Sequence, residues 1–448
     1  MSPSARLAGF VGVLLWGGCM GVAGDAPAPV EDGGPPSTVD AGGGSDAGTG
    51  GPADAGSDEG DAGVVTDPGS TPDAGGPLDA GAPVVDAGVT PPIDAGVPVF
   101  LLVGKQGRRA LSCDDGRTWR NDVSFDDALP ANLRFRCFSG NFALPDGGSN
   151  NTDCDHNAWS STALAFVGDG FVHTMGWGAP GTIWRSTDGL AWSLVHTGST
   201  VQDVMVGPSR LVLATRSSRR SDDRGRTWAM GPELMLRSGS NDLWNVRGGA
   251  YGGGTFVVSA QDGANVDWQV SRDEGATWQR PQLVGGGRVD ACGSAHPVYG
   301  NGVFVSATWN GMRTVFCRST DQGLTWTVIM GPTDYPESRL LFTGTGFMVW
   351  SNGKVHRSPD GLSWTTTNTV TRSPQGTMSS GPNIGPVAIG PTGTFSAVRG
   401  GWDVWYDRQR FYRSTDGITW DELPDTAYTK GHPVTMLVAG VVPPGVCP

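Results

Sequence analysis

The chain has 448 residues, with 31 Lys and Arg against 44 Asp and Glu and a net charge of −13. Residues 25–97 hold 14 of the acidic side chains and no Lys or Arg, so this stretch accounts for the acidity and residues 98–448 are close to neutral. Without a basic surplus in the part rich enough in apolar residues to fold, no nucleic-acid partner is expected.

Residues 1–18 carry one cation, Arg6, and an apolar run from Leu7 to Trp16, followed by Gly17, Gly18 and then Cys19. This is the pattern of a signal peptide, and a run of about ten apolar residues is too short to span a bilayer. Small residues directly before a Cys resemble the lipobox of bacterial lipoproteins. That resemblance implies lipidation at Cys19 and an outer-membrane or cell-surface location, the membrane being reached only through the lipid. Trp16 departs from it, since Leu15 lies one position earlier than the family favours, and secretion after a plain signal cleavage is the alternative.

Residues 19–97 repeat Asp-Ala-Gly eight times, beginning at Asp40, Asp46, Asp54, Asp61, Asp73, Asp79, Asp86 and Asp94. Repetition without hydrophobic periodicity cannot offset the entropy of ordering, so this is expected to be a disordered acidic linker with a reach of roughly 45 Å.

From residue 98 the composition changes to short runs of Val, Phe, Leu and Thr broken by Gly, Asn or Asp, the mark of an all-β domain over residues 98–448. A motif S-x-D-x-G-x-T-W occurs at Ser112–Trp119, Ser221–Trp228, Ser271–Trp278 and Ser319–Trp326. Copies one residue shorter stand at Ser186–Trp192, Ser358–Trp364 and Ser414–Trp420. Seven copies about 50 residues apart leave room for one four-stranded unit each.

These motifs resemble the Asp boxes, or BNR repeats, of the sialidase and sortilin-like superfamily, across the whole of residues 98–448. The resemblance implies a seven-bladed β-propeller of four-stranded blades, with an Asp box between the third and fourth strands. It also implies that Asp114, Asp188, Asp223, Asp273, Asp321, Asp360 and Asp416 lock turns and do no chemistry. Their residue types fit that role, because Ser and Asp can accept backbone hydrogen bonds, Gly supplies a positive φ and Trp fills space between sheets. Val303–Ala307 with Thr314–Arg318, and Phe347–Trp350 with Val355–Arg357, are expected as second and third strands. Val99–Gly104 already matches a second strand, so blade one is expected to borrow its innermost strand from Val434–Val442.

Six cysteines besides Cys19 in an exported chain point to disulfides, with fifteen pairings open. Cys137 with Cys154 and Cys113 with Cys447 are the expected bonds, with Cys292 and Cys317 left over.

In this strand order, box turns lie on one face and the loops between strands two and three, or between blades, lie on the other. Candidate ligand-binding residues on that second face are Trp177, Trp309, Arg313, Trp402, Asp403, Trp405 and Tyr406, with Trp268 placed in a further loop there. Aromatic faces stack on sugar rings while Arg and Asp hydrogen-bond hydroxyls, so a glycan or a surface protein is the expected partner of a monomeric chain. The same aromatics can equally fill the funnel rim.

The long connection Arg120–Ala165 holds Cys154, Asp155 and His156, but no second cluster accompanies them, and no metal or cofactor is expected. The cluster Arg216, Arg219, Arg220, Arg224 and Arg226 reads as a solvated strand and turn neutralised by Asp222 and Asp223. The catalytic residues are unknown. A sialidase-like enzyme would need an Arg triad, a Tyr and Glu pair and a motif before the first box that Leu133–Arg136 only superficially matches. The folded region offers four Glu, namely Glu233, Glu274, Glu337 and Glu422. The reading therefore leans to recognition, with a sialidase-like or endoglucanase-like glycoside hydrolase as the alternative.

Overall fold

The computed structural model describes residues 96–124, 127, 142–143, 149–150, 160–177, 181–198, 201–215, 217–234, 246–262, 265–400 and 409–448. Residues 1–95, with Cys19 and nearly all of the Asp-Ala-Gly stretch, and Cys137, Cys154 and Trp402–Tyr406 lie outside them. Among the described residues the chain is all β apart from short 3-10 turns, and its sheets follow one another as the seven blades of a propeller.

Blade three shows the plan: Asp203–Val206, Leu211–Ala214, Ser217–Ser221 and Ala229–Glu233 pair in sequence order from the axis outward. Four-residue strands suffice because each apolar face is covered by a neighbouring blade; Leu211–Ala214 is buried throughout. The second and third strands read from the sequence appear as Val303–Trp309 with Thr314–Ser319 and as Phe347–Ser351 with Lys354–Ser358.

Blade one closes the ring. Its second strand, Val97–Gly104, pairs antiparallel along its whole length with Val434–Val442, which supplies the missing innermost strand. The bond Cys113–Cys447 ties the same two ends. The two cysteines left over in the sequence, Cys292 and Cys317, also form a bond, inside the core around Trp268 and Trp326.

Two blades depart from the plan. In blade four the segment after the box forms only the bridge Val270 to Gln279. Pro281 follows and has no N–H to extend the ladder, and the chain crosses to pair Gln282–Leu283 in parallel with the outer strand of blade five. Similarly, Val370–Arg372 leaves blade six to cover the outer edge of blade seven, and a hairpin partner, Met378–Ser380, lies beyond it. Both additions cap edges that would otherwise expose unpaired N–H and C=O groups.

The box turns share one bonding scheme. The Ser hydroxyl donates to the Asp Oδ1, at 2.8 Å in Ser221 to Asp223, and accepts the N–H of the box Gly, at 2.7 Å from Gly225. In the long copies the Asp also takes the backbone N–H and the hydroxyl of the Thr, at 2.9 and 2.6 Å for Thr227. In the short copies it takes two successive backbone N–H groups instead, as Asp188 does from Leu190 and Ala191. The extra residue of the long copies sits in the left-handed region at Asp115, Arg224, Glu274 and Gln322, with φ between 58° and 61°.

Each box Trp reaches back to the preceding blade. Trp364 stacks on Phe316 at 3.7 Å, Trp326 meets Trp268 at 4.7 Å, Trp420 meets Trp350 at 5.7 Å, and Trp119 meets Phe411 of blade seven at 5.5 Å. An arginine before several of the boxes reaches forward: Arg185 to the Arg224 carbonyl, Arg318 to that of Asp360, and Arg413 to that of Asp115.

Closing a loop this long by a covalent bond constrains the unfolded chain strongly, so Cys113→Ser is expected to cost roughly 2–5 kcal/mol. Calorimetry or chemical denaturation of the oxidised wild type and the variant checks this, and equal midpoints would contradict it.

Acid should destabilise the domain in two stages. Burial holds the His173 imidazole at about 3, helped by the positive charge of Arg109. An unfolded His takes up its proton near pH 6.5, so stability is lost as the pH falls from there towards 3. Desolvation favours the protonated form of Asp223, but the hydrogen bonds from Thr227 outweigh it and hold the carboxyl at about 2. The stability from that carboxylate is present above pH 4 and lost between 4 and 2. Denaturation at a series of pH values should show a shallower fall below pH 6.5 in His173→Gln and below pH 4 in Asp223→Asn.

Candidate functional site

The second face is formed by turns whose shape is set locally. In blade six Asn352 and Gly353 both have positive φ, the tight hairpin pair joining Phe347–Ser351 to Lys354–Ser358. In blade five the turn after Trp309 is held by the Asn310 side chain, which accepts N–H bonds from Met312 and Arg313 at 3.1 and 3.0 Å. That turn leaves Met312 and Arg313 exposed and Trp309 half-buried. The Trp309 ring meets Tyr335 edge-on at 5.8 Å, and Tyr335 is 45% exposed.

The residue before Tyr335, Asp334, takes Lys354 Nζ on both oxygens at 3.0 and 2.9 Å. Lys354 is also in the wall of a cleft of about 650 Å³ shared with Asn352, Asn368, Ser380, Gly381 and Asn383. Aromatic pair, ion pair and amide-lined cleft therefore follow one another across blades five and six.

A second group stands at the axis. Asp203 opens the innermost strand of blade three, Arg247 lies near the start of that of blade four, and His296 and Arg339 precede those of blades five and six. His296 Nδ1 is 3.1 Å and Arg339 Nη1 3.9 Å from Asp203 Oδ2, contacts that join blade three to blades five and six. Non-adjacent blades meet only across the central channel, so these side chains stand at its mouth on the second face. Arg339 is enclosed by protein yet keeps 44% of its side chain open, as a channel-lining group does.

The geometry of this cluster is built in. Asp203 accepts the N–H of Val204 at 2.9 Å and of Gly249 at 3.2 Å. The imidazole of His296 lies against Gly248, where an added Cβ would fall 2.1 Å from Nδ1. Burial lowers the pKa of His296, with Arg339 and Arg247 adding to the effect against the opposing pull of Asp203. Burial likewise lowers that of Arg339, against the pull of Asp203. Burial works to raise the Asp203 carboxyl, but its hydrogen bonds and the neighbouring cations leave it below the usual carboxylate range.

Of the candidate residues, the structure brings Trp309 and Arg313 onto one turn. Trp177 ends a strand of blade two, and its side chain is outside the described residues. Trp402, Asp403, Trp405 and Tyr406 lie outside them as well. Trp268, placed in a loop from the sequence, is instead inside the strand Asn265–Ser271, 2% exposed, with its Nε1 donating to the Gly293 carbonyl. It reads as a loop residue because polar Asn265, Asp267 and Gln269 surround it, and these are the alternate positions of a half-buried strand.

The arginine cluster of blade three is neutralised only in part as expected, the charge of Arg220 acting on Asp222. Asp222 pairs with Arg210, whereas Arg226 reaches Asp169 of blade two, which also holds Arg185 at 2.7 Å. Of the four Glu, Glu274 accepts from Ser209 and Glu422 pairs with Arg410 at 3.1 Å. Among the described residues no three His, Cys, Asp or Glu side chains come together as metal ligands.

The axial cluster was missed because its members are far apart in sequence. One signal was available: Asp203, Arg247, His296 and Arg339 each stand four or five residues before a glycine, namely Gly207, Gly252, Gly300 and Gly344. Asp203 and His296 share the offset of four, which marks equivalent positions at the innermost strands of blades three and five.

No family model matches the chain, and no curated protein matches it. Among solved structures, the chain is similar to a functionally unknown protein from Desulfotomaculum acetoxidans, at 11% identity and a TM-score of 0.45, over 77% of this chain and 99% of that one. It is also similar to YCF48 from Cyanidioschyzon merolae, at 13% identity and a TM-score of 0.44, over 62% and 89%. Dihydro-heme d1 dehydrogenase NirN follows at 12% identity and a TM-score of 0.44, over 80% and 78%. None of these likenesses bears on what this chain binds.

Replacing Gly248 by Ala should push the imidazole off the strand and break its bond to Asp203 without unfolding the blade. The NMR titration of His296 reads this out: its midpoint should rise towards 6.5 in Gly248→Ala, and an unchanged midpoint would show that the contact does not hold the ring.

Proposed function

We propose that this chain is an exported recognition propeller, anchored through Cys19 with the acidic stretch as a spacer, and that its second face binds a glycan. The observation that carries the reading is the Trp309 and Tyr335 pair beside the cleft of about 650 Å³ lined by Asn352, Asn368 and Asn383. A sugar presents apolar C–H faces and a belt of hydroxyls; rings match the first and amides, as both donors and acceptors, the second. Arg313 on the same turn supplies further donors. Trp177, Trp402, Asp403, Trp405 and Tyr406 belong to the same proposal. Among the described residues of the axial cluster the one carboxylate, Asp203, is occupied by fixed donors, which speaks for binding over hydrolysis.

Screening the full chain on a glycan array, followed by titration of the best sugar, tests the reading. Trp309→Ala should weaken binding at least tenfold, about 1.4 kcal/mol, with no change in thermal midpoint. No retained glycan, or a bound one indifferent to Trp309, would remove the proposal. Retention of a protein in its place, through the same residues, would make the face a protein-docking surface.

A further inference from the structure

We infer that the cleft between blades six and seven on the box face is a site for a tetrahedral oxyanion, the sulfate or phosphate group of an ester, with Arg357 as its cation. The site lies on the face opposite to the aromatic turns and does not depend on the glycan reading.

In three other blades the arginine directly before the box serine is tied to the next box. Arg185 of blade two donates Nε to the Arg224 carbonyl at 3.0 Å and Nη2 to the Asp169 carboxylate at 2.7 Å. Arg413 of blade seven donates Nε to the Asp115 carbonyl at 2.9 Å and Nη2 to the carboxylate of the same residue. Arg318 of blade five donates to the Asp360 carbonyl at 2.7 Å. Arg357 of blade six, one residue before Ser358, makes neither kind of contact. Its one hydrogen bond among the described residues goes to the Thr367 hydroxyl of its own sheet at 3.3 Å, and it has no ion pair among them.

The difference lies in one side chain. Residues 167–171 read Val-Gly-Asp-Gly-Phe, and residues 343–347 read Thr-Gly-Thr-Gly-Phe. Both turns close with the same bond, from the Val167 N–H to the Gly170 carbonyl and from the Thr343 N–H to the Gly346 carbonyl, each at 2.8 Å. Thr345 therefore occupies the place of Asp169, and blade six lacks the carboxylate that holds the arginine of blade two.

At this seam a cleft of about 540 Å³ opens. Half-buried Arg357 and exposed Thr345 line it from blade six and exposed Thr415 from blade seven, with buried Phe347, Met348 and Phe395 as an apolar floor. Asp416 is in the wall as well, but its Oδ1 is committed to its own turn, accepting from Ile418, Thr419 and Ser414. An anion bound here would stand to Arg357 as Asp169 stands to Arg185. A guanidinium fork takes two oxygens in one plane. Hydroxyls arriving from two blades suit a third oxygen outside that plane, which a tetrahedral group has and a carboxylate lacks. The floor gives the body of an ester its contact.

The test is calorimetric titration of the full chain, at fixed ionic strength, with phenyl sulfate, phenyl phosphate and benzoate. At least one ester should bind roughly tenfold tighter than benzoate, and the tighter of the two identifies the oxyanion. Arg357→Gln should weaken that ester roughly tenfold while leaving the thermal midpoint of the unliganded chain within a few degrees of wild type. Thr345→Asp should abolish ester binding by restoring the carboxylate found in blade two, and should raise the unliganded midpoint. Benzoate binding as tightly as either ester overturns the tetrahedral assignment. Ester binding that survives in Arg357→Gln or in Thr345→Asp, or that is lost in Trp309→Ala on the other face, overturns the site. Absence of binding to all of these anions overturns the inference and leaves the glycan reading untouched.

Discussion

The structure depends on the contact between each box tryptophan and the blade before it. A four-stranded sheet buries little by itself, and its two faces become a core only when neighbours cover them. Trp364 on Phe316, Trp420 on Trp350 and Trp119 on Phe411 are the same contact repeated, the last joining blade one to blade seven. Because every blade needs the one before it, the series can satisfy the first only by returning to it. The strand Val434–Val442 and the bond Cys113–Cys447 are where that return is made.

Ring closure has a chemical consequence at the axis. Innermost strands converge there, so side chains separated by tens of residues along the chain come within bonding distance: Asp203 and His296 are 93 residues apart in sequence and bonded at 3.1 Å. The walls are blade edges, so a charge placed there is enclosed yet reachable from the mouth. The second face therefore carries two kinds of group, exposed aromatic side chains at the rim and a small set of confined charges at the centre.

The architecture was legible because the box is a local device. Ser, Asp and Gly close their turn within five residues, so the bonding partners of Ser221, Asp223 and Gly225 are all visible in the sequence. The borrowed strand of blade one was legible for a related reason, as Val99–Gly104 lacked a predecessor and Val434–Val442 lacked a box. Trp268 was misplaced because polar neighbours in a half-buried strand look like loop composition. The partner of Asp222 was misassigned because nearness in sequence stood in for nearness in space, and the turn directs it to Arg210.

By itself the sequence determined the number of blades, the turn that defines each, the acidic stretch ahead of them and the ends that meet. All of these follow from short-range hydrogen bonding, composition and repetition. Only the tertiary structure decided which side chains share the channel mouth, which of the aromatic residues are walls and which are core, and that Cys292 meets Cys317. These depend on how far each blade is rotated about the axis, and that rotation is set by packing between sheets, which no single repeat encodes.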